Sequence, residues 1–266
     1  MSKGFDVRRQ TGFTAIAIAC FVLLYLPILL LVAYSFNAGD SIAIWEGFSW
    51  RWYASAWDNE QVKDATIRSL ILATCASGVA TTAAVLAALA TTRSKPWRGQ
   101  TVVFAMVNQP LMVPEIVTAV SLLIVFASVK SFTGYTGLGY LILAHSAFCI
   151  PFAYMPVRAR LQGMDLSLEH AGADLYGTPF QVFRHITLPQ LWPGILAGAM
   201  LAFVISLDDV VITEFVKSAG QDTLPTYMLG QLRRVVTPEI NAISTALLAI
   251  SVLMVTAFYF VNKVRK

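Results

Sequence analysis

Six long apolar runs dominate the chain, separated by stretches that hold most of its charge. They cover about Thr14–Phe36, Ser69–Thr91, Val102–Val129, Leu138–Val157, Leu191–Val216 and Ala242–Val261. Each is roughly 20 residues or longer, enough for a helix to cross about 30 Å of hydrocarbon. The alternating ten-residue segments of a membrane barrel are absent from the sequence. Six helical spans are therefore predicted, because in lipid a helix satisfies its backbone polar groups within its own segment. The third run contains Pro110 and Pro114, which predicts a kink. The second is rich in small residues (Ser77, Gly78, Thr81, Thr82, Ala83, Ala84, Ala87 and Ala88), which predicts close helix contact. The fold class expected is all-α and polytopic, with residues 1–266 forming one membrane domain.

Composition supports this pattern. Of the 266 residues, 57% are hydrophobic and 13% charged, where a soluble domain carries about 25% charged residues. The first run is too long for the apolar region of a signal peptide, and no Ala-x-Ala site follows it. Cys20, Cys75 and Cys149 lie inside apolar runs without a CxxC pairing and are expected to be small buried packing residues. His145, His170 and His185 are scattered, so no metal site is expected.

Charge sets the expected orientation. Lys3, Arg8, Arg9, Arg93, Lys95, Arg98, Arg158, Arg160, Arg184, Lys263, Arg265 and Lys266 would share one side of the membrane. Arg51, Lys63, Arg68, Lys130, Lys217, Arg233 and Arg234 would share the other. The larger set marks the cytoplasmic side, with both termini there. The net charge of +4 reflects this rule; membrane lipid is an expected partner and nucleic acid is not. The segment from Asn37 to Arg68 carries Trp45, Trp50, Trp52, Tyr53 and Trp57, rings that suit the membrane–water interface.

The polar stretch between the fourth and fifth runs, about residues 163–190, has a pattern of its own. Ser167 can cap a helix, with Asp165 and Glu169 near its positive end. Ala171, Gly172 and Ala173 allow another surface to approach. Gly177 followed by Thr178-Pro179 predicts a turn and a new helix start. Phe180, Val182 and Phe183 then add apolar area. These residues read equally as a short helix–turn–helix that plugs a partner's groove or as an amphipathic linker lying on the bilayer.

The ending Ile186-Thr187-Leu188-Pro189 resembles the signature of ABC importer permeases: Glu-Ala-Ala, three residues, Gly, nine residues, Ile, one residue, Leu-Pro. Counting back puts His170-Ala171-Gly172 at the Glu-Ala-Ala positions and Tyr176 at the Gly position. The chain departs there, with the acid one residue early as Glu169 and the glycine one late as Gly177. Asp174-Leu175 and Thr178-Pro179 also look like the family. Val113-Pro114-Glu115-Ile116-Val117, the block Leu201 to Ile212, Thr223-Leu224-Pro225 and Thr237 to Ala242 are similar to spermidine/putrescine permease subunits of the PotC/PotI type. The resemblance implies a type I importer permease in the bacterial inner membrane, carrying polyamines or, as the alternative, an opine or other small organic compound. It implies a homologous second permease, two ATP-binding subunits and a periplasmic binding protein, which the tryptophan-rich segment could also touch. It implies an ATPase docking loop containing Glu169, His170, Ala171, Gly172, Asp174, Tyr176, Gly177, Pro179, Ile186, Leu188 and Pro189. No GxxxxGK[ST] loop occurs, so no enzyme activity and no cofactor is expected of this chain, with ATP and Mg bound by the partner ATPase.

Asp208 and Asp209 lie in the fifth run, Glu214 lies near its outer end, and Glu115 follows Pro114 in the third. A carboxylate in a span faces a cavity or a partner, because exposure to hydrocarbon costs roughly 2.5–3.5 kcal/mol. Adjacent acids point about 100° apart on a helix, so one of the pair is expected to face any given direction. These acids are candidates for a cation pathway, with Phe203 and Phe215 adding cation–π attraction, or for pairing with a basic group of a partner. A proton-coupled secondary transporter would need inverted repeats, and none is evident. An intramembrane aspartyl protease would need acids facing each other from separate segments, whereas Asp208 and Asp209 are neighbours.

Overall fold

The computed structural model describes residues 11–42, 44–94, 97–234 and 237–264. Of the topogenic basic residues, Lys3, Arg8, Arg9, Lys95, Arg265 and Lys266 lie outside this set. The elements in chain order are α1 (Thr11–Tyr34), α2 (Arg51–Asp58), α3 (Glu60–Thr92), α4 (Gln100–Met112), α5 (Glu115–Thr133), α6 (Gly139–Gln162), α7 (Ser167–Asp174) and α8 (Pro179–Val182). A π-helical turn, Phe183–Thr187, then leads into α9 (Leu188–Asp208), α10 (Val211–Val216), α11 (Leu224–Leu232) and α12 (Pro238–Val264). The only pairing outside helices among the described residues is an isolated bridge between Asn37 and Phe48. Among the described residues, six helices are long and apolar enough to cross a membrane: Gly12–Tyr34, Glu60–Thr92, Glu115–Thr133, Gly139–Gln162, Pro179–Asp208 and Pro238–Ala257.

Two expected spans are divided differently from the apolar pattern. The third stops at Met112, where Val113 is extended (φ −99°, ψ 136°), and restarts at Glu115. Pro114 causes this break: it donates no N–H and forces its predecessor out of helical geometry. Pro110, by contrast, stays inside α4. The fifth begins at Leu188 and ends at Asp208, with Asp209 extended (φ −65°, ψ 134°) and α10 a separate short helix.

The chain falls into two compact groups of residues, Met1–Glu60 with Gln231–Ile250 and Gln61–Gly230 with Ser251–Lys266. In the first, α1 is apolar all round and its membrane window is not covered by the rest of the chain. The buried Asn37 organises the following loop: Nδ2 donates to the Ser41 and Ile44 carbonyls at 3.0 and 2.7 Å, and Oδ1 accepts from the Glu46 N–H at 2.8 Å. Phe36 sits against Phe48, Trp50 and Tyr53 at 5.3, 4.9 and 5.2 Å.

In the second group α6 is the hub. Ala80, Ala84 and Ala88 of α3 enter the same fully buried core as Leu141, Ala144, Ala153 and Val157 of α6. Thr91 Oγ1 meets the buried Tyr154 hydroxyl at 2.8 Å. Helix α9 lies on α6 through Gly194 and Gly198. A methyl group on Gly194 would come within 2.7 Å of Arg160 Cβ, and one on Gly198 within 2.6 Å of the Ala153 carbonyl. Four residues apart, the two glycines share one face and admit the neighbouring backbone, the close packing that helices in lipid rely on.

The small-residue stretch of α3 is thus partly a packing face; Gly78 meets nothing. The cysteine expectation needs correction. Cys149 is buried, but Cys20 and Cys75 are exposed, because an apolar position on a membrane protein can face lipid as readily as the core.

Candidate functional site

The loop after α6 forms a helix–turn–helix. Asp165 Oδ1 accepts from the Ser167 N–H at 2.9 Å, and this bond holds the Asp165 carboxyl below its usual range. Asp165 thus supplies the contact expected of Ser167; Leu166 occupies the cap position without a side-chain bond. Helix α7 closes with the Gly177 N–H on the Gly172 carbonyl at 3.1 Å. Thr178 and Gln181 then form a reciprocal capping box around Pro179.

The glycines are set by space. A methyl group on Gly172 would sit 2.5 Å from Ile186 Cδ1, and one on Gly177 would sit 2.7 Å from the Gly172 carbonyl. Tyr176 has φ 60°, a left-handed conformation that costs roughly 1–2 kcal/mol for a residue with a Cβ. This is the position at which the permease signature carries glycine, and the conformation gives the physical reason for that preference.

The residues expected to dock an ATPase divide by burial. His170, Ala171, Asp174, Tyr176, Pro179 and Pro189 are exposed, whereas Gly172, Gly177, Ile186 and Leu188 are partly covered. Tyr176 is 97% exposed and Leu175 83%. Glu169 turns inward: its Oε1 accepts from Arg93 Nε at 3.1 Å, with both side chains 18% exposed.

The membrane acids also divide. Asp209 is buried at the break between α9 and α10. Its Oδ2 accepts from the Thr213 N–H at 2.9 Å and Thr213 Oγ1 at 2.8 Å, and its Oδ1 from the Ile212 N–H at 3.3 Å. These bonds satisfy the free amides at the start of α10. His145 of α6, 1% exposed, joins the same network. Its Nδ1 lies 2.9 Å from Ser206 Oγ, and its Nε2 lies 3.0 Å from Thr213 Oγ1 and 3.4 Å from Asp209 Oδ2. With Thr213 Oγ1 donating to Asp209, the neutral tautomer carrying its proton on Nε2 satisfies every partner.

Glu115, at the start of α5, lies near Asp209. Glu115 and Asp208 are both exposed. Glu214 is paired with Lys217, which also reaches Asp222 Oδ1 at 2.7 Å. Burial alone would lower the Lys217 pKa, but its bonds to the two carboxylates raise it. Phe215 packs against the core, and Phe203 is half-buried.

The sequence reading missed His145, Ser206, Thr213 and Arg93. A histidine within an apolar run was the available signal for the first.

Residues 80–264 match the family described as binding-protein-dependent transport system inner membrane component. The chain belongs to this permease family. Among its relatives, the putrescine transport permease PotI of Escherichia coli K12 is 36% identical over 99% of this chain and 95% of its own. The spermidine/putrescine permease PotC of Haemophilus influenzae is 36% identical over 90% of this chain and 92% of its own. The fold resembles a bacterial ABC transporter involved in importing the polysaccharide alginate, with TM-score 0.75 and 17% identity over 97% of each chain. The permease is thus an all-α, multi-pass membrane protein and a transport subunit rather than an enzyme.

Proposed function

We propose that the chain is one of two homologous permease subunits of an inner-membrane ABC importer for polyamines or closely related amine-bearing solutes. The observation that carries this is the identity with a putrescine permease across 99% of the chain. Both termini and the 163–190 loop face the cytoplasm, where two ATP-binding subunits dock and hold ATP and Mg; a periplasmic binding protein delivers the solute outside. The excess of Lys and Arg on the loop side supports this orientation. Residues 1–266 work as one permease domain, and the chain itself carries no cofactor.

Motion of the ATPases enters through α7 and α8. The π-helical turn runs without a gap into α9, and α9 is seated on α6 through Gly194 and Gly198. A push on the loop is therefore delivered to the helix that ends at Asp208. The exposed carboxylates of Asp208 and Glu115, with Phe203 nearby in sequence, replace part of the hydration of a passing ammonium group. Asp209 shapes the break instead of meeting cargo, while Glu214 and Phe215 frame the site through Lys217 and the core.

The test reconstitutes the permease with its second permease, ATPase and binding protein in vesicles. Uptake of labelled putrescine or spermidine, dependent on internal ATP, is the expected result. Import of a solute without an amine, with neither polyamine taken up, would overturn the cargo assignment.

A further inference from the structure

Arg93, one of the basic residues expected on the loop side, joins three elements. It follows directly on the last residue of α3. Its Nε donates to Glu169 Oε1 of α7 at 3.1 Å, and its Nη2 donates to the Leu161 carbonyl in the last turn of α6 at 3.0 Å. The carbonyls of a final helical turn lack intrahelical partners and attract a cation. The planar fork of a guanidinium holds such a carbonyl and a carboxylate in one fixed geometry, and less side-chain freedom is lost per bond than with a lysine. Both side chains are 18% exposed, so the pair is shielded far more than an ordinary surface ion pair.

Position explains why Glu169 is available for this. A residue moved one place along a helix turns by about 100°. The acid, one residue ahead of its usual place in the loop, turns toward Arg93, while the usual place holds the exposed His170. The surface left for a partner is apolar and aromatic at its tip, with Leu175 83%, Tyr176 97% and Phe180 67% exposed.

We propose that Arg93 is a positioning residue for energy coupling: with Glu169 it struts α7 to the ends of α3 and α6, so that a push on the loop moves these helices as one. Glu169 is then an internal partner of Arg93 and not a contact to the ATPase. The proposal rests on the reading of this loop as the ATPase dock.

The experiment uses the complete reconstituted importer with Arg93→Ala, Glu169→Ala and the double variant. It measures the ATPase retained on the purified permease and the solute imported per ATP hydrolysed. Each single variant is expected to retain the ATPase and to lose about fivefold to tenfold in import per ATP, the scale of a moderate coupling energy. The double variant should be no worse than either single one, since both remove the same contact. Glu169→Gln, which keeps an acceptor for Arg93, should fall between; it replaces Glu169→Ala if that variant does not assemble. Loss of the ATPase from Glu169→Ala but not from Arg93→Ala, multiplying effects in the double variant, or unchanged import per ATP would each overturn the strut. Failure of the unaltered permease to retain an ATPase would instead overturn the docking reading itself, and the strut with it.

Discussion

The loop between α6 and α9 and the break between α9 and α10 use adjacent residues in opposite ways. In the loop, Glu169 is turned inward onto Arg93 and its neighbour His170 is left exposed. At the break, Asp208 is exposed and its neighbour Asp209 is buried among Thr213, Ile212 and His145. In each pair one side chain maintains local architecture while the other meets the surroundings. The loop does this within a single helix, by the rotation between successive residues. The break does it by ending one helix and starting another. An acidic residue in a motif is therefore not by itself a contact residue; its neighbours decide which way it faces.

Substitutions at the two acids of the break test that division most strongly. Asp209→Ala leaves the first amides of α10 without their acceptor and His145 without its carboxylate, at a cost of about 2–3 kcal/mol. Thermal unfolding of the detergent-purified permease should shift down accordingly, and an unchanged transition would remove the architectural role. Asp208→Asn should leave that transition in place while lowering polyamine uptake about tenfold, as expected for loss of a charge-assisted contact worth roughly 1.4 kcal/mol. If Asp208→Asn transports normally, the exposed acid is not part of the pathway. At the α6–α9 contact, Gly198→Ala crowds the Ala153 carbonyl and should destabilise by about 1–3 kcal/mol. That variant separates damage to the seat of α9 from damage to the break.

Smaller effects belong to the loop. Tyr176→Gly relieves the left-handed conformation and should stabilise the loop by at most about 1 kcal/mol after the added freedom of the unfolded chain is subtracted. Slower hydrogen exchange in residues 167–178 is the readout, and faster exchange would contradict the strain argument. Asp165 gives the smallest change. Because its folded pKa is depressed, its contribution is present above the ordinary carboxylate value near 4. That contribution is lost as pH falls through the lower folded value. The start of α7 should exchange faster at that acidic end, and Asp165→Asn should abolish this pH dependence.

Much of the architecture was legible in the chain. Runs of about 20 apolar residues announced six helices, since lipid leaves the backbone few other choices. Gly177 and Thr178-Pro179 marked the loop's turn and its second helix, and the Ile186 to Pro189 ending pointed to the permease family. What could not be read was direction. Cys20 and Cys75 sit in apolar runs like Cys149, yet only Cys149 is buried, because hydropathy does not distinguish core from lipid. Pro110 and Pro114 looked alike, yet the helix breaks at Pro114 and continues through Pro110.

Hydropathy, turn residues and the spacing around Ile186-Thr187-Leu188-Pro189 thus determined the fold class, the number of spans and the place of the loop, because each depends on short stretches of chain. Tertiary structure alone decided that Glu169 faces Arg93 and that Asp209 is enclosed beside His145. These pairs lie 76 and 64 positions apart in sequence, and only the packing of α3, α6, α7 and α9 brings them together.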